Sequence, residues 1–149
     1  MLEMTAYTDG SCLGNPGVGG YAAIMIAKGQ EKPCVGYEKD DTTNNRMELR
    51  AVINVVKWCN RVQKEPCKVT FCVDSQYLID CYKHGFSDLA SKSRPNHDLW
   101  IELIRSTLDG GHEISFVKVK GHNGNKMNEK VDKLAKEQAL KARHERFGI

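Results

Sequence analysis

Four acids, Asp9, Glu48, Asp74 and Asp132, stand where carboxylates could do chemistry. Asp9 closes the β-prone run EMTAYTD (3–9) and is followed at once by the turn-rich GSCLGNPGVGG (10–20). Asp74 closes KVTFCVD (68–74), Glu48 lies in the first turn of a helix predicted over 44–60, and Asp132 lies in a Lys-rich helix predicted from about 126 to 143. Singly, each has a plain structural role. Asp9 can open an Asx turn, Asp74 can cap a helix, Glu48 can complete a capping box with Asn45, and Asp132 can pair with Lys136 at i,i+4. Together they come from two strand ends, a helix start and a covering helix, and could meet at one edge of a sheet. Like charges about 4 Å apart repel by roughly 4 kcal/mol at an effective dielectric near 20. Such a cluster keeps protons or takes up cations. Mg²⁺ prefers oxygen ligands, and two such ions can support both oxygens of an in-line phosphoryl displacement.

The elements that must hold these acids follow from periodicity. Strands are predicted at 3–9, 20–28 and 33–39, the first three forming a meander with a turn near Gly29. Met47, Ala51, Val52, Val55, Val56 and Cys59 repeat at helical spacing across 44–60. The continuous apolar run at 68–74 predicts a strand buried on both faces. A brief helix at 75–83, an irregular stretch at 84–98, a helix at 98–108 stopped by Gly110 and Gly111, and a strand at 113–119 follow. The last helix carries Met127, Val131, Leu134, Ala135, Gln138 and Ala142 on one stripe. The order βββαβααβα predicts an α/β fold, a mixed sheet covered by helices. In such sheets functional groups collect where parallel strands end.

Composition narrows the class. A chain of 149 residues with 40% hydrophobic and 28% charged residues suits one soluble domain, expected to span 1–149. It has no run long enough to cross a membrane, and MLEMTAY is not a signal peptide. The six cysteines, at 12, 34, 59, 67, 72 and 81, form no CxxC pair. They read as reduced, mostly buried thiols of a cytoplasmic protein. Net charge is +3, but from Lys118 onward nine Lys and Arg face four acids. A basic C-terminal third can meet a polyanion; a solvated helix face explains it as well.

Four blocks, TDGSCLGNPGVGGYA (8–22), TTNNRMEL (42–49), VDSQYL (73–78) and VKGHNG with NEKVDKLA (119–135), together resemble type 1 ribonuclease H, in order and across nearly the whole chain. The resemblance implies a five-stranded mixed sheet flanked by helices on both faces. It implies hydrolysis of the RNA strand of an RNA/DNA hybrid, leaving 5′-phosphate and 3′-hydroxyl ends. It further implies two divalent ions, Mg²⁺ with Mn²⁺ as an alternative, held by Asp9, Glu48, Asp74 and Asp132. The family's loop histidine falls on His122, expected to aid proton transfer or product departure, and Glu129 is expected in the outer shell of the metal site. Asn15, Asn44, Asn45 and Gln76 match minor-groove contacts, while Thr43 and Asn96 match a grip on a DNA-strand phosphate. GNPGVGG leads into a strand and lacks GK[ST], so it is neither a dinucleotide fingerprint nor a P-loop. Its small residues are expected to let a nucleic-acid backbone approach the sheet rim.

Two departures from the common bacterial pattern stand out. That pattern has a lysine- and tryptophan-rich handle, whereas Asp74 to Trp100 here offers only Lys83, His84, Lys92, Arg94 and His97. Asp40 and Asp41 also replace a basic residue beside the phosphate grip. Both predict weaker hybrid binding, since phosphate neutralisation supplies much of the affinity. The basic last helix is expected to compensate in part. No separate hybrid-binding domain is expected before the catalytic part, and a monomer is expected. A non-catalytic binding module would lack one of the four acids. A phosphate-ester hydrolase with an aspartyl nucleophile would carry a second Asp at the place of Ser11, and a sibling nuclease acting on structured DNA would lack TTNNRMEL.

Overall fold

The computed structural model describes residues 1–89, 91–119 and 125–149. Strands β1 (Leu2–Leu13), β2 (Gly17–Ala27) and β3 (Gln30–Thr42) form the predicted meander. Helix α1 (Asn44–Trp58) ends in one π turn, Cys59–Gln63, before β4 (Cys67–Val73). Helices α2 (Gln76–His84), α3 (Phe86–Leu89) and α4 (His97–Gly110) lead to β5 (Glu113–Lys118) and α5 (Lys126–Phe147). The sheet order is β3-β2-β1-β4-β5. The meander is antiparallel, while β1–β4 and β4–β5 are parallel. Helix α3 lies within the stretch expected to be irregular.

Helices cover both faces of the sheet. On one side Leu49, Val52, Ile53, Phe71, Trp100 and Leu103 form the main core between α1, α4 and the strands. On the other, α5 lies across β1, β2 and β3, through Ala22, Ile24, Val131 and Ala135. The expectation that β4 is buried on both faces is corrected. Cys67, Val69, Phe71 and Val73 are buried, whereas Lys68 is exposed and Thr70 and Cys72 are half-buried. This alternation marks a strand with one well-covered face. All six cysteines are free, three of them buried and three half-buried. Among the described residues no helix is long and apolar enough to cross a membrane.

The caps differ from those expected, and the difference releases two acids. Helix α1 is capped by Thr43, whose Oγ1 accepts from the Arg46 N–H at 3.2 Å. Glu48 therefore lies beyond the capping positions, and no capping box with Asn45 forms. Helix α2 is capped by Ser75, whose Oγ accepts from the Leu78 N–H at 3.2 Å, so Asp74 is not the cap. Replacing Ser75 by Ala is expected to cost about 1 kcal/mol of stability, measured by urea unfolding.

Two glycines set the depth at which helices seat. A Cβ on Gly10 would lie 2.4 Å from the Glu48 nitrogen and 2.5 Å from the Met47 carbonyl carbon. One on Gly20 would lie 2.3 Å from the Ala139 nitrogen and 2.4 Å from the Ala135 oxygen. Gly10 and Gly20 thus admit the protein's own helices.

Candidate active site

Asp9 does not end its strand: β1 runs on to Leu13 in register with β2, and Asp9 faces Ala22. What ends there is the parallel pairing with β4, whose last rung is Thr8 with Val73. Asp9 and Asp74 are thus the next residues on neighbouring strands, about one strand spacing apart. The next backbone link of the sheet is the Val119 N–H donating to the Val73 carbonyl at 2.9 Å. Glu48 arrives from α1 over the bare Cα of Gly10, and Asp132 from α5 on the opposite face.

The structure brings these acids together. Asp9 is 8% exposed, and its Oδ1 accepts from the Gly10 N–H at 2.9 Å. Its carboxyl lies close enough to Glu48 and Asp132 to interact with both, and Glu48 feels the charge of Asp74. Burial, with the neighbouring Asp132, pushes Asp9 up to about 7, even though its hydrogen bonds with Glu48 and Gly10 act the other way. Burial and the charge of Asp9 push Glu48 well above the usual carboxylate range. Buried Glu48 Oε2 has no hydrogen-bond partner. A buried acceptor left bare is costly, and a cluster of hard oxygens with one bare donor atom suits a hard dication.

As the side chains stand, no three His, Cys, Asp or Glu among the described residues form a finished ligand set. Asp132 Oδ2 is 3.0 Å from Lys136 Nζ, the i,i+4 pair foreseen from spacing. Glu129 is exposed in the first turn of α5, and His122 lies outside the described residues. The acids lie on an open edge. A cavity of about 500 Å³ lined by Cys59, Asn60 and His112 sits instead near the start of β4. There His112 Nδ1 accepts from the Cys67 N–H at 2.9 Å, and burial lowers the imidazole pKa.

The predicted contact residues gather around the same edge. Asn15 Oδ1 accepts from the Asn44 N–H at 3.0 Å, which ties the β1–β2 turn to the start of α1. Asn45 is exposed one residue further on. Asn96, with φ 62°, donates to the Tyr77 hydroxyl at 3.0 Å and accepts from Arg46 at 3.3 Å. This brings it to the turn of α1 that Thr43 caps. Gln76 donates to Asp80 at 2.8 Å, and its carbonyl accepts from Lys118. Neither Lys118 nor Arg46 was foreseen beside these amides, because the partners lie 42 and 50 residues apart in the chain. Asp98 is pulled down to about 2, chiefly by its hydrogen bonds with Arg46. Of the charges expected to oppose or aid binding, Asp41 is answered by Arg146 at the end of α5, and Arg94 is engaged by Asp88.

The family model described as RNase H matches residues 1–140. The ribonuclease H of Thermoanaerobacter sp. (strain X514) is 45% identical over 141 residues, covering 89% of this chain and 86% of the relative. Ribonuclease HI of Helicobacter pylori (strain ATCC 700392 / 26695) is 44% identical over 144 residues, covering 95% and 96%. Among solved structures, LC9-RNase H1, described as a type 1 RNase H with the type 2 active-site motif, superposes with a TM-score of 0.81 at 28% identity. It covers 95% of this chain and 74% of that one. LC11-RNase H1 in complex with an RNA/DNA hybrid shares the fold, with a TM-score of 0.74 at 20% identity, covering 93% and 98%.

Proposed function

This chain belongs to the type 1 ribonuclease H family, and from that premise we propose that it is a metal-dependent endonuclease. It hydrolyses the RNA strand of RNA/DNA hybrids to 5′-phosphate and 3′-hydroxyl ends, with residues 1–149 acting as one catalytic domain. The observation that carries the reading is the contact of Asp9 with both Glu48 and Asp132 at the end of the β1–β4 pairing.

Asp9, Glu48, Asp74 and Asp132 would hold two Mg²⁺ ions, or Mn²⁺ in their place. Such ions would supply an activated water and charge stabilisation for the departing 3′ oxygen. The protein's own part is to gather four carboxylates on backbone that is already paired. A dication there would offset the mutual repulsion of Asp9 and Glu48 and would offer Glu48 Oε2 a partner. Glu129 would stand in the outer shell, and His122 would assist proton transfer or product departure.

Substrate contacts would come from the amides gathered at this edge. Asn15, Asn44, Asn45 and Gln76 offer amides to the minor groove of an A-like duplex, where the 2′-hydroxyl separates RNA from DNA. Thr43 Oγ1 is used as a cap acceptor, which leaves its O–H to donate to a DNA-strand phosphate. Asn96 is held beside it by Arg46 and Tyr77.

Incubating labelled RNA/DNA, RNA/RNA and DNA/DNA duplexes with the protein, with and without Mg²⁺, tests the proposal. Cleavage of the hybrid's RNA strand alone, and only with Mg²⁺, is expected; equal cutting of RNA/RNA would remove the specificity, and no cutting would remove the activity. Asp74→Asn should lose at least about a hundredfold in hybrid cleavage. Its thermal midpoint should stay near wild type, because Ser75 caps α2 and Asp74 is exposed.

A further inference from the structure

Within the acid cluster, Asp132 alone is ion-paired among the described residues, and its partner is Lys136. The pair is solvent-facing, with side chains 64% and 46% exposed. Exposed i,i+4 pairs add little to a helix. The nearby Lys130 is turned toward Glu31 at 3.8 Å. Lys136 is therefore the cation held against this acid cluster, where buried Glu48 Oε2 has no hydrogen-bond partner.

We propose that Lys136 is the internal counter-ion of this cluster, holding the Asp132 carboxylate until a divalent cation displaces it and so setting how tightly cations bind. The inference rests on the function read above. Lys136 acts against a bound cation in two ways. It occupies a carboxylate oxygen the cation needs, and its charge repels a dication with twice the force it would exert on a monovalent ion. At exposed separations of several ångströms in salt, removing that charge is worth about a threefold to tenfold gain in affinity. By linkage, the same substitution leaves the metal-free protein with one more uncompensated carboxylate.

The test compares wild type, Lys136→Met and Lys136→Arg without nucleic acid, using Mg²⁺ alone as the probe. Binding is read by titration calorimetry, and the thermal midpoint is read in EDTA and at saturating Mg²⁺. Met keeps helix propensity, so the comparison isolates the charge. The expected result is Mg²⁺ binding about threefold to tenfold tighter in Lys136→Met, with Lys136→Arg close to wild type. The Met variant should also melt below wild type in EDTA and recover that difference in Mg²⁺. Equal deficits with and without Mg²⁺ would mark a merely helical ion pair and overturn the proposal, as would unchanged or weaker binding. A wild-type protein that takes up no Mg²⁺ would overturn the functional reading and this inference with it.

Discussion

Replacing Asp9 with asparagine is expected to abolish Mg²⁺-dependent hybrid cleavage, lowering the rate by at least about a thousandfold, or ~4 kcal/mol of barrier. The same change should stabilise the metal-free protein at pH 8. Asp9 is 8% exposed, and its pKa is raised from 3.8 to about 7, first by burial and then by Asp132. Its folded value lies above its unfolded one, so its native environment is fully tolerated below about pH 4. Stability is then lost as pH climbs through 7, while the unfolded chain ionises freely. Wild type in EDTA should lose about 2–3 kcal/mol between pH 5 and pH 8 from this group, and Glu48, also raised, acts in the same direction. The asparagine variant should show a much flatter profile, and Mg²⁺ should restore wild type without affecting the variant. Urea unfolding at the two pH values measures all of this. A variant less stable than wild type at pH 8 in EDTA would mean that Asp9 is not held against repulsion.

Gly20→Ala is expected to be strongly destabilising. The new carbon would meet backbone of α5 at 2.3 and 2.4 Å, and backbone cannot swing aside as a side-chain tip can. Overpacking of this kind costs about 3 kcal/mol. The loss would be specific in location, because α5 must lift from β2 and carries Asp132 with it. Hybrid cleavage should therefore fall even at temperatures where far-UV circular dichroism reports a folded chain. Activity retained in full alongside a lowered melting point would mean that the helix can shift without moving its acid.

Much of this architecture was legible from local signals, and the failures share one cause. The meander, the central apolar strand and the long last helix follow from periodicity over a few residues. The four acids were legible through their motifs and their places near element ends. What short-range reading misassigned was the reason for particular residues. Asp9 reads as a strand terminus because glycines follow it, yet those glycines continue the strand, since helices press against it at Gly10 and Gly20. Asp74 and Asn45 read as caps because their neighbours Ser75 and Thr43 serve equally well, and only helix phase chooses between them. Lys118 beside Gln76, Arg46 beside Asn96 and Arg146 beside Asp41 are pairs between distant segments. They have no local signal at all.

The two sides of the sheet are unequally fastened. Trp100, Phe71, Leu49 and Leu103 fill the side under α1 and α4, while α5 rests on Ala22, Ile24, Val131 and Ala135. Alanines allow close approach but hide little apolar area from water, so α5 is the easier layer to detach. On warming, α5 is expected to loosen first and to carry Asp132 away from Asp9, Glu48 and Asp74, so hybrid cleavage should fade below the melting midpoint of the sheet and return on cooling.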